Sequence, residues 1–354
     1  MRHTGIIGML AATMVGLVTV VGAQIGSAAG GAPPLIIGAS GNMTPIVGNL
    51  EEAATFYSDL LGLVSPPPIR RRSHKDVPYP EVLKNQGTPD ATIRQINLNV
   101  PGSPWKLEVL EFTDIDRTPA NARPQDPGAM TLVLMVRDVD GLLAKLKEDK
   151  GEVVTPGGQP VPLIAGAAKA RAIVVKAPGG HFVELQQPDR LPSTPNLPAG
   201  NVIGGHIRVT IADTDATLRL YRDELGFRPQ VGSFTKDASR LALMGTAGAQ
   251  YRVTSAPVPG VPDQILEFIE FKNIDRKTQR TRIQDPGSSK IQFRPSDVAI
   301  AMAKIKAAGG TVATTGGTFM IYMGVPTVIV RDMNNMFINM QQQPQPPTTT
   351  ASAR

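Results

Sequence analysis

The chain has 354 residues, no cysteine and a formal net charge of +6. The absence of cysteine excludes a disulfide scaffold and a lipid-modified cysteine anchor, so the mature chain relies on its apolar core for stability. The charge does not favour nucleic acid as a partner, because the densest basic cluster, Arg70–Arg72, has only Tyr79 as a nearby stacking group. We expect this cluster to lie in a solvated loop.

The first element in chain order is an apolar segment close to the N-terminus. Arg2 is followed by an uncharged stretch whose apolar part covers residues 6–23, and the small residues Ser27 and Ala29 suit cleavage by a signal peptidase. We therefore predict a signal peptide over residues 1–29 and export to the periplasm or beyond, with no other membrane contact. The alternative is an uncleaved anchor, since the run approaches the roughly 20 residues that span a bilayer.

An internal repeat shows that the rest of the chain is duplicated. Leu107–Gly128 (LEVLEFTDIDRTPANARPQDPG) and Leu266–Gly287 (LEFIEFKNIDRKTQRTRIQDPG) match in register at a constant offset of 159 residues. A repeat of this length predicts two similar domains, and a Pro-rich stretch between them predicts a linker. The predicted parts are domains at residues 36–188 and 201–344, a linker at 189–200 and a disordered tail at 345–354.

Each half contains the same order of elements twice, namely a strand, a helix and then three strands. In the first half we predict a helix at 50–61 capped by Asn49, strands at 92–100, 105–112 and 131–136, a helix at 139–148, and a hairpin of 172–176 with 181–187. In the second half we predict strands at 206–211, 265–271 and 290–294, helices from Asp213 and at 298–308, and a hairpin of 328–330 with 336–340. Because the strands come in runs, a parallel α/β stack is excluded and an α+β fold with curved mixed sheets is predicted.

Several short motifs carry a resemblance to a known family. They are NLEEAATFYSDLLGL and DTDATLRLYRDELGF at the helices, DPG before the fifth strand of each half, and PGGHFVELQQP at the end of the first half. In these the chain resembles the vicinal oxygen chelate superfamily over residues 36–344, a superfamily that includes glyoxalase I, bleomycin-resistance proteins, methylmalonyl-CoA epimerase and extradiol dioxygenases. The resemblance implies a tandem pair of domains, each built from two βαβββ units that form a cup-shaped mixed sheet with helices outside.

The resemblance also implies four inward-facing positions in each cup that carry metal ligands in the family. Each half is expected to close its own cup, so these positions hold Asn42, Glu108, Thr131 and Glu184 in the first cup, and His206, Glu267, Lys290 and Asn339 in the second. Neither set contains the two His and one carboxylate of non-haem iron oxygenases. We therefore expect no tightly held cofactor. The alternative is a divalent metal held by Glu108 and Glu184, or by His206 and Glu267.

Strand alternation predicts which other side chains face the second cup. Arg208 lies on the same face as His206, and Gln292 and Arg294 lie on the same face as Lys290. We hypothesise that Lys290 replaces the metal, pairs with Glu267 and makes a site for an anionic ligand such as a carboxylate or a phosphate. The alternative is a structural ion pair.

In the first cup, Glu108 and Glu184 would face each other and share a cation or a proton, with one carboxylate as a general base. The alternative for Glu184 is a structural role supported by neighbouring Gln or Thr side chains. The duplicated Arg117 and Arg276, with the Gln-Asp-Pro-Gly turn that follows each of them, recur although the cups differ, so we predict a structural role for this crossover segment.

Three functions follow from these expectations. The leading one is an exported two-domain protein that binds a small organic ligand without an intact metal site. The alternative is an enzyme of the lyase, isomerase or dioxygenase type that uses Glu108 and Glu184, or His206 and Glu267. The third is a structural or interaction protein whose cups are plugged by side chains. Fold alone does not decide between them.

Overall fold

The computed structural model describes residues 34–63, 70–73, 80–149, 151–165 and 168–343. The predicted signal peptide and disordered tail lie outside the described residues. In the described ranges no helix is both long enough and apolar enough to cross a membrane.

The elements of the first half follow the predicted order with four additional short strands and helices. They are β1 (Ile36–Val47), α1 (Leu50–Ala54) with a π-helical continuation (Thr55–Leu60), β2 (Arg70–Ser73), α2 (Pro80–Gln86), β3 (Thr92–Asn99), β4 (Lys106–Thr113), β5 (Met130–Val136), α3 (Val139–Glu148), β6 (Glu152–Val153), β7 (Val161–Ala165), β8 (Ala168–Lys176) and β9 (Phe182–Pro188). The basic cluster forms β2, which pairs with β3, so the loop predicted for it is wrong.

The second half repeats this scheme. Its elements are β10 (Val202–Ile211), α4 (Thr214–Leu218) with a π-helical continuation (Arg219–Glu224), β11 (Gln230–Val231), α5 (Ala238–Leu243), β12 (Gln250–Val258), β13 (Val261–Lys272), β14 (Ser289–Pro295), α6 (Val298–Ala307), β15 (Thr311–Val312), β16 (Met320–Tyr322), β17 (Val325–Arg331) and β18 (Phe337–Gln341).

Side-chain caps start the helices where the sequence predicts them. The Asn49 side chain accepts hydrogen bonds from the backbone of Glu51 and Glu52, and Asp213 accepts one from Ala216 N. Asp138 and Asp297 cap α3 and α6 in the same way. Each cap satisfies backbone N–H groups that have no partner inside the helix.

The strands form two mixed sheets, and each sheet combines one unit from each half. The first sheet has the order β15-β17-β18-β14-β1-β4-β3-β2, and the second has the order β11-β12-β13-β10-β5-β9-β8-β6. The short strands β16 and β7 pair with β17 and β8. The α+β class with paired βαβββ units is confirmed. The expectation that each half closes its own cup is wrong, because β1 pairs with β14 and β10 pairs with β5.

The crossover segments explain this exchange between the halves. The Asp126 carboxylate accepts a hydrogen bond from Lys277 N at 2.8 Å, and the Asp285 carboxylate accepts one from Thr118 N at 2.8 Å. Arg123 also pairs with Asp275 at 2.9 Å. Each crossover is thus held against the crossover of the other half, which delivers the following strand to the sheet of that half. The two copies of the motif therefore bind each other and hold the two halves together, in agreement with the predicted structural role.

The helices lie on both faces of the sheets. The largest apolar cluster joins one face of both sheets to α1, α3, α4 and α6, through residues such as Tyr57, Leu142, Tyr221 and Ile305. By contrast, α2 and α5 cover the opposite, inner faces and belong to separate clusters. The predicted outer position is thus correct for α3, α6, and α1 and α4 with their π-helical continuations. The two inner helices were not predicted.

Candidate functional site

The observed strand pairing regroups the eight predicted positions into two new sets. The inner face of the second sheet carries His206 and Arg208 on β10, Glu267 on β13, Thr131 on β5 and Glu184 on β9. The inner face of the first sheet carries Asn42 and Thr44 on β1, Glu108 on β4, Lys290 and Gln292 on β14, and Asn339 on β18. The cup memberships predicted for Thr131, Glu184, Lys290 and Asn339 are therefore wrong.

Arg208 joins two carboxylates at the centre of the second sheet. Its Nε donates to a Glu267 oxygen, and its Nη1 donates to a Glu184 oxygen. The side chains of Arg208 and Glu184 are 1 % and 0 % exposed. Charge-assisted bonds of this kind are stronger than neutral ones, and they satisfy charges that would be very costly to bury alone.

Two further groups complete what we call the second-sheet cluster, which consists of His206, Arg208, Glu184, Glu267 and Arg240. Arg240 on α5 places Nη1 at 3.7 Å from Glu184 Oε1, and His206 places Nε2 at 3.7 Å from Glu267 Oε2. Gln186 also donates a hydrogen bond to Glu184. Two guanidinium groups thus balance two carboxylates.

The arginines keep both carboxylates ionised. Burial raises the pKa of Glu184, but the charges of Arg208 and Arg240 outweigh it and leave the pKa below its ordinary value. Burial acts on Glu267 in the same sense, and Arg208 together with His206 holds the pKa of Glu267 well below its ordinary value. Burial also lowers the pKa of Arg208, yet Glu184 and Glu267 raise it overall. The cluster is therefore a charge-neutral ionic network at neutral pH.

Apolar packing fills the rest of the second sheet's inner face. Leu241, Leu243 and Met244, at the end of α5 and just beyond it, are buried against Ile269 and Phe271. Thr155 donates a hydrogen bond to Leu243 O at 2.8 Å and fixes the end of the helix. The inner face of this sheet is thus occupied by side chains of the chain itself.

The first sheet is built differently. Lys290 Nζ lies 3.6 Å from Glu108 Oε2, and Thr44 Oγ1 donates to the same oxygen at 3.0 Å. The predicted pairing of Lys290 with Glu267 is wrong, because β14 lies beside β1 in the first sheet. For the same reason Glu108 and Glu184 do not face each other, and the predicted shared cation or proton is excluded for this pair.

Amide and hydroxyl groups continue across the first sheet. Gln292 Nε2 donates to Gln341 Oε1 at 2.6 Å, and Gln292 Oε1 accepts from Ser40 Oγ at 2.7 Å. Asn42 Nδ2 approaches the same Gln292 oxygen at 3.5 Å. We call the polar side chains on these four strands, β1, β4, β14 and β18, the first-sheet cluster: Ser40, Asn42, Thr44, Glu108, Lys290, Gln292, Asn339 and Gln341.

This cluster is partly open to solvent. The Glu108 side chain is 22 % exposed, and Ser40, Asn42 and Gln341 are half-buried. Asn339 is 8 % exposed, and in the described part of the chain its Oδ1 accepts no hydrogen bond. A buried acceptor without a partner costs free energy, so it indicates a position where a donor from a bound molecule would be stabilising.

Some predicted residues take no part in either cluster. Arg294 is exposed at the end of β14, so its predicted place inside a cup is wrong. Thr131 is buried opposite Arg208 but does not contact the carboxylates through a hydrogen bond that the structure describes. Conversely, Thr44 and Gln341 were not predicted, although strand alternation places each two residues from a predicted one. No sequence pattern pointed to Arg240.

A divalent metal does not fit either cluster. Among the described residues no group of three or more His, Cys, Asp or Glu side chains is arranged to hold a metal ion. In the second sheet the Arg208 guanidinium lies between the two carboxylates that would be ligands. In the first sheet a single carboxylate, Glu108, is accompanied by the ammonium of Lys290. A cation at either place would be repelled by a positive charge.

Comparisons with known proteins agree with this fold. A family model described as Glyoxalase/Bleomycin resistance protein/Dioxygenase superfamily matches residues 204–332. No curated protein matches the sequence. Glyoxalase I from Zea mays superposes with a TM-score of 0.54 at 15 % identity, over 86 % of this chain and 92 % of that chain. A putative dioxygenase from Bacillus subtilis superposes with a TM-score of 0.51 at 12 % identity, over 89 % of this chain and 87 % of that one. Residues 204–332 thus match the model of this superfamily, and the fold of the chain is similar to that of glyoxalase I, with βαβββ units in tandem.

Proposed function

We propose that the chain is an exported protein that binds a small polar organic molecule at the first-sheet cluster, without a catalytic metal. The observation that carries the proposal is the contrast between the two inner faces. The second is filled by α5 and a charge-neutral ionic network, whereas the first keeps a partly exposed polar surface. Export is proposed from the apolar N-terminal segment alone.

The charges of the first-sheet cluster favour a neutral ligand. Lys290 and Glu108 balance each other at 3.6 Å, so the anion predicted for Lys290 would also meet a carboxylate. The remaining acceptors are the partly exposed carboxylate of Glu108 and the buried Oδ1 of Asn339, which accepts no hydrogen bond in the described part of the chain. A molecule with several hydroxyl groups supplies donors to both and leaves neither charge unbalanced. We therefore propose a neutral polyhydroxylated compound as the ligand class.

The test is a thermal-shift screen of the purified protein against neutral polyols and sugars, carboxylates, and phosphate esters. We expect neutral hydroxylated compounds to raise the melting temperature by at least about 2 °C at concentrations well above Kd. Asn339→Leu and Glu108→Gln are expected to remove this shift. Lys304→Met, which breaks an exposed pair with Glu224, is the matched control and should retain it.

The screen tests the ligand class and the binding site separately. A shift from anionic compounds that depends on Lys290 would replace the ligand class but keep the binding site. A screen without a shift, or a shift that both first-sheet variants retain, would remove the site itself.

An enzyme at the same position is the second candidate. The partly exposed Glu108 carboxylate could act as a general base, with Lys290 at 3.6 Å stabilising developing negative charge. An enzyme of this kind would turn over the compound found in the screen. Product formation from that compound by the wild type, measured directly, separates an enzyme from a protein that only binds it.

A further inference from the structure

We infer that Arg208 is a built-in cation that takes the position of a divalent metal in the second sheet, and that removing its guanidinium uncovers a latent metal site. The ligands of that site are His206, Glu267 and Glu184. This inference concerns the second sheet only and does not depend on the function proposed for the first.

The strand register places the three side chains on one face of the second sheet, around Arg208. Arg208 lies directly opposite Glu267 on β13, and on its other side β5 separates it from Glu184 on β9. One guanidinium contacts both carboxylates, so the space between them has the size of one cationic group. His206 precedes Arg208 by two residues and therefore faces the same space.

His206 supplies a third donor atom beside the two carboxylates. Its Nε2 is buried, makes no hydrogen bond to the described residues, and lies 3.7 Å from Glu267 Oε2. Imidazole nitrogens and carboxylate oxygens are both ligands of Zn²⁺, and three protein ligands leave a fourth position to water. The donor types are therefore suitable, and the guanidinium is the obstacle.

Charge balance also predicts how metal affinity changes as the two arginines are removed one after the other. Arg208 and Arg240 together neutralise Glu184 and Glu267. Without Arg208 one carboxylate charge is unbalanced, and Arg240 remains 3.7 Å from Glu184 as a competing cation. Without both arginines, two carboxylates would match one divalent ion. Metal affinity is therefore expected to increase from Arg208→Ser to the double variant Arg208→Ser/Arg240→Met.

The first sheet supplies a matched control. The positions equivalent to His206, Glu267 and Glu184 hold Asn42, Glu108 and Asn339, beside the cation Lys290, so only one carboxylate is present. Lys290→Ser also removes a buried cation, but it does not leave three ligands. It should not create a metal site.

The experiment titrates the full chain with Zn²⁺ after chelator treatment, by calorimetry and by metal analysis after dialysis. We expect about one Zn²⁺ per chain in Arg208→Ser, at least about tenfold tighter binding in the double variant, and at least about tenfold weaker binding when His206→Ala is added to Arg208→Ser. The wild type and Lys290→Ser should bind no stoichiometric metal.

Thermal unfolding keeps the test decisive if the variant is unstable. Zn²⁺ should raise the melting temperature of Arg208→Ser, and a chelator should reverse the effect, while Arg208→Lys shows no such dependence. Three results would overturn the inference: a folded Arg208→Ser chain that binds no Zn²⁺, an unfolded one that Zn²⁺ does not refold, or a wild type with one metal per chain that His206→Ala removes.

Discussion

At the scale of single residues, each sheet holds one buried cation beside a carboxylate, but the two are held with different strength. Arg208 is 1 % exposed and bonded to Glu184 and Glu267, which are also buried. Lys290 is equally buried, yet its partner Glu108 keeps 22 % of its side chain in solvent. The planar guanidinium can bridge two carboxylates, whereas an ammonium is a point charge. Removal of Arg208 and removal of Lys290 should therefore lower the free energy of unfolding by different amounts.

Replacing Arg208 by Met should lower the free energy of unfolding by about 3–5 kcal/mol, because two buried carboxylates lose their counterion. Lys290→Met is the matched comparison and should cost less, since water reaches Glu108. Urea denaturation at pH 7 measures both. Equal losses would show that the ionic network in the second sheet is not special.

Burial of His181 predicts that the free energy of unfolding depends on pH in the range where a histidine titrates. It is buried, and its Nε2 contacts Ser288 O at 2.8 Å across the junction of the two sheets. Burial lowers its pKa from 6.5 to about 4. The unfolded chain therefore binds the proton first, so the stability due to neutral His181 is complete above pH 6.5 and is lost as the pH falls towards 4.

The wild type should lose about 2 kcal/mol of unfolding free energy between pH 6.5 and 5, at about 1.4 kcal/mol per pH unit. His181→Gln should flatten the profile in this window, because Gln keeps a donor for Ser288 O but does not titrate. Denaturation at several pH values measures the slope. An unchanged slope in His181→Gln would show that another group takes up the proton.

The identity of most inner side chains followed from strand alternation and the internal repeat. His206, Arg208, Glu267, Lys290 and Gln292 all face the inner surfaces, as alternation requires. Their partners did not follow, because a partner depends on which strands meet. Lys290 contacts Glu108 rather than Glu267 for this reason alone.

At the scale of elements, the short helices α2 and α5 decide how open each inner face is. A Gly-Thr pair follows each helix. The N–H of Thr88 donates to Leu83 O after α2, and the N–H of Thr246 donates to Leu241 O after α5, at 2.9 Å in each case. This equivalence places Val82 of α2 where α5 has Arg240. The arginine reaches Glu184 and closes the second cluster, whereas the valine packs among apolar residues.

Arg240→Val should therefore cost about 1–2 kcal/mol, less than Arg208→Met, because Arg240 approaches Glu184 at 3.7 Å without a hydrogen bond. Arg222→Val, which removes an exposed pair with Asp223, is the control and should change stability by less than about 0.5 kcal/mol. Denaturant titration compares the two. A loss as large as that of Arg208→Met would make Arg240 the central cation.

These two helices were not predicted, and their length explains why. They have seven and six residues, too few for a helical period to be distinguished from a loop. The ten-residue helices α3 and α6 were predicted with their caps, because Asp138 and Asp297 stand directly before an apolar period.

At the scale of the molecule, the two halves are interlocked rather than independent. The pairs β1–β14 and β10–β5 join the halves inside both sheets, and Asp126 and Asp285 bind the opposite crossover. The repeat predicted two copies of one unit, but it could not show which copies pair. The reciprocal use of the duplicated Arg and Asp residues is visible only once both copies are in place.

Separate chains for residues 34–193 and 194–354 should therefore assemble into a complex when co-expressed, because each half supplies one unit to each sheet. Size-exclusion chromatography with light scattering measures the complex. The intact chain is the reference for its mass and unfolding transition. A half that folds cooperatively as a monomer would contradict the interlocked arrangement.

The chain places its own cations, Arg208 and Lys290, beside the inner-face carboxylates, so we expect it to hold no divalent metal there. Elemental analysis of the purified full-length protein, prepared without added metal, is the direct test of this expectation. We expect far less than one transition metal per chain, and no change in Glu184→Ala or His206→Ala. One metal per chain in the wild type, lost in either of these variants, would contradict it.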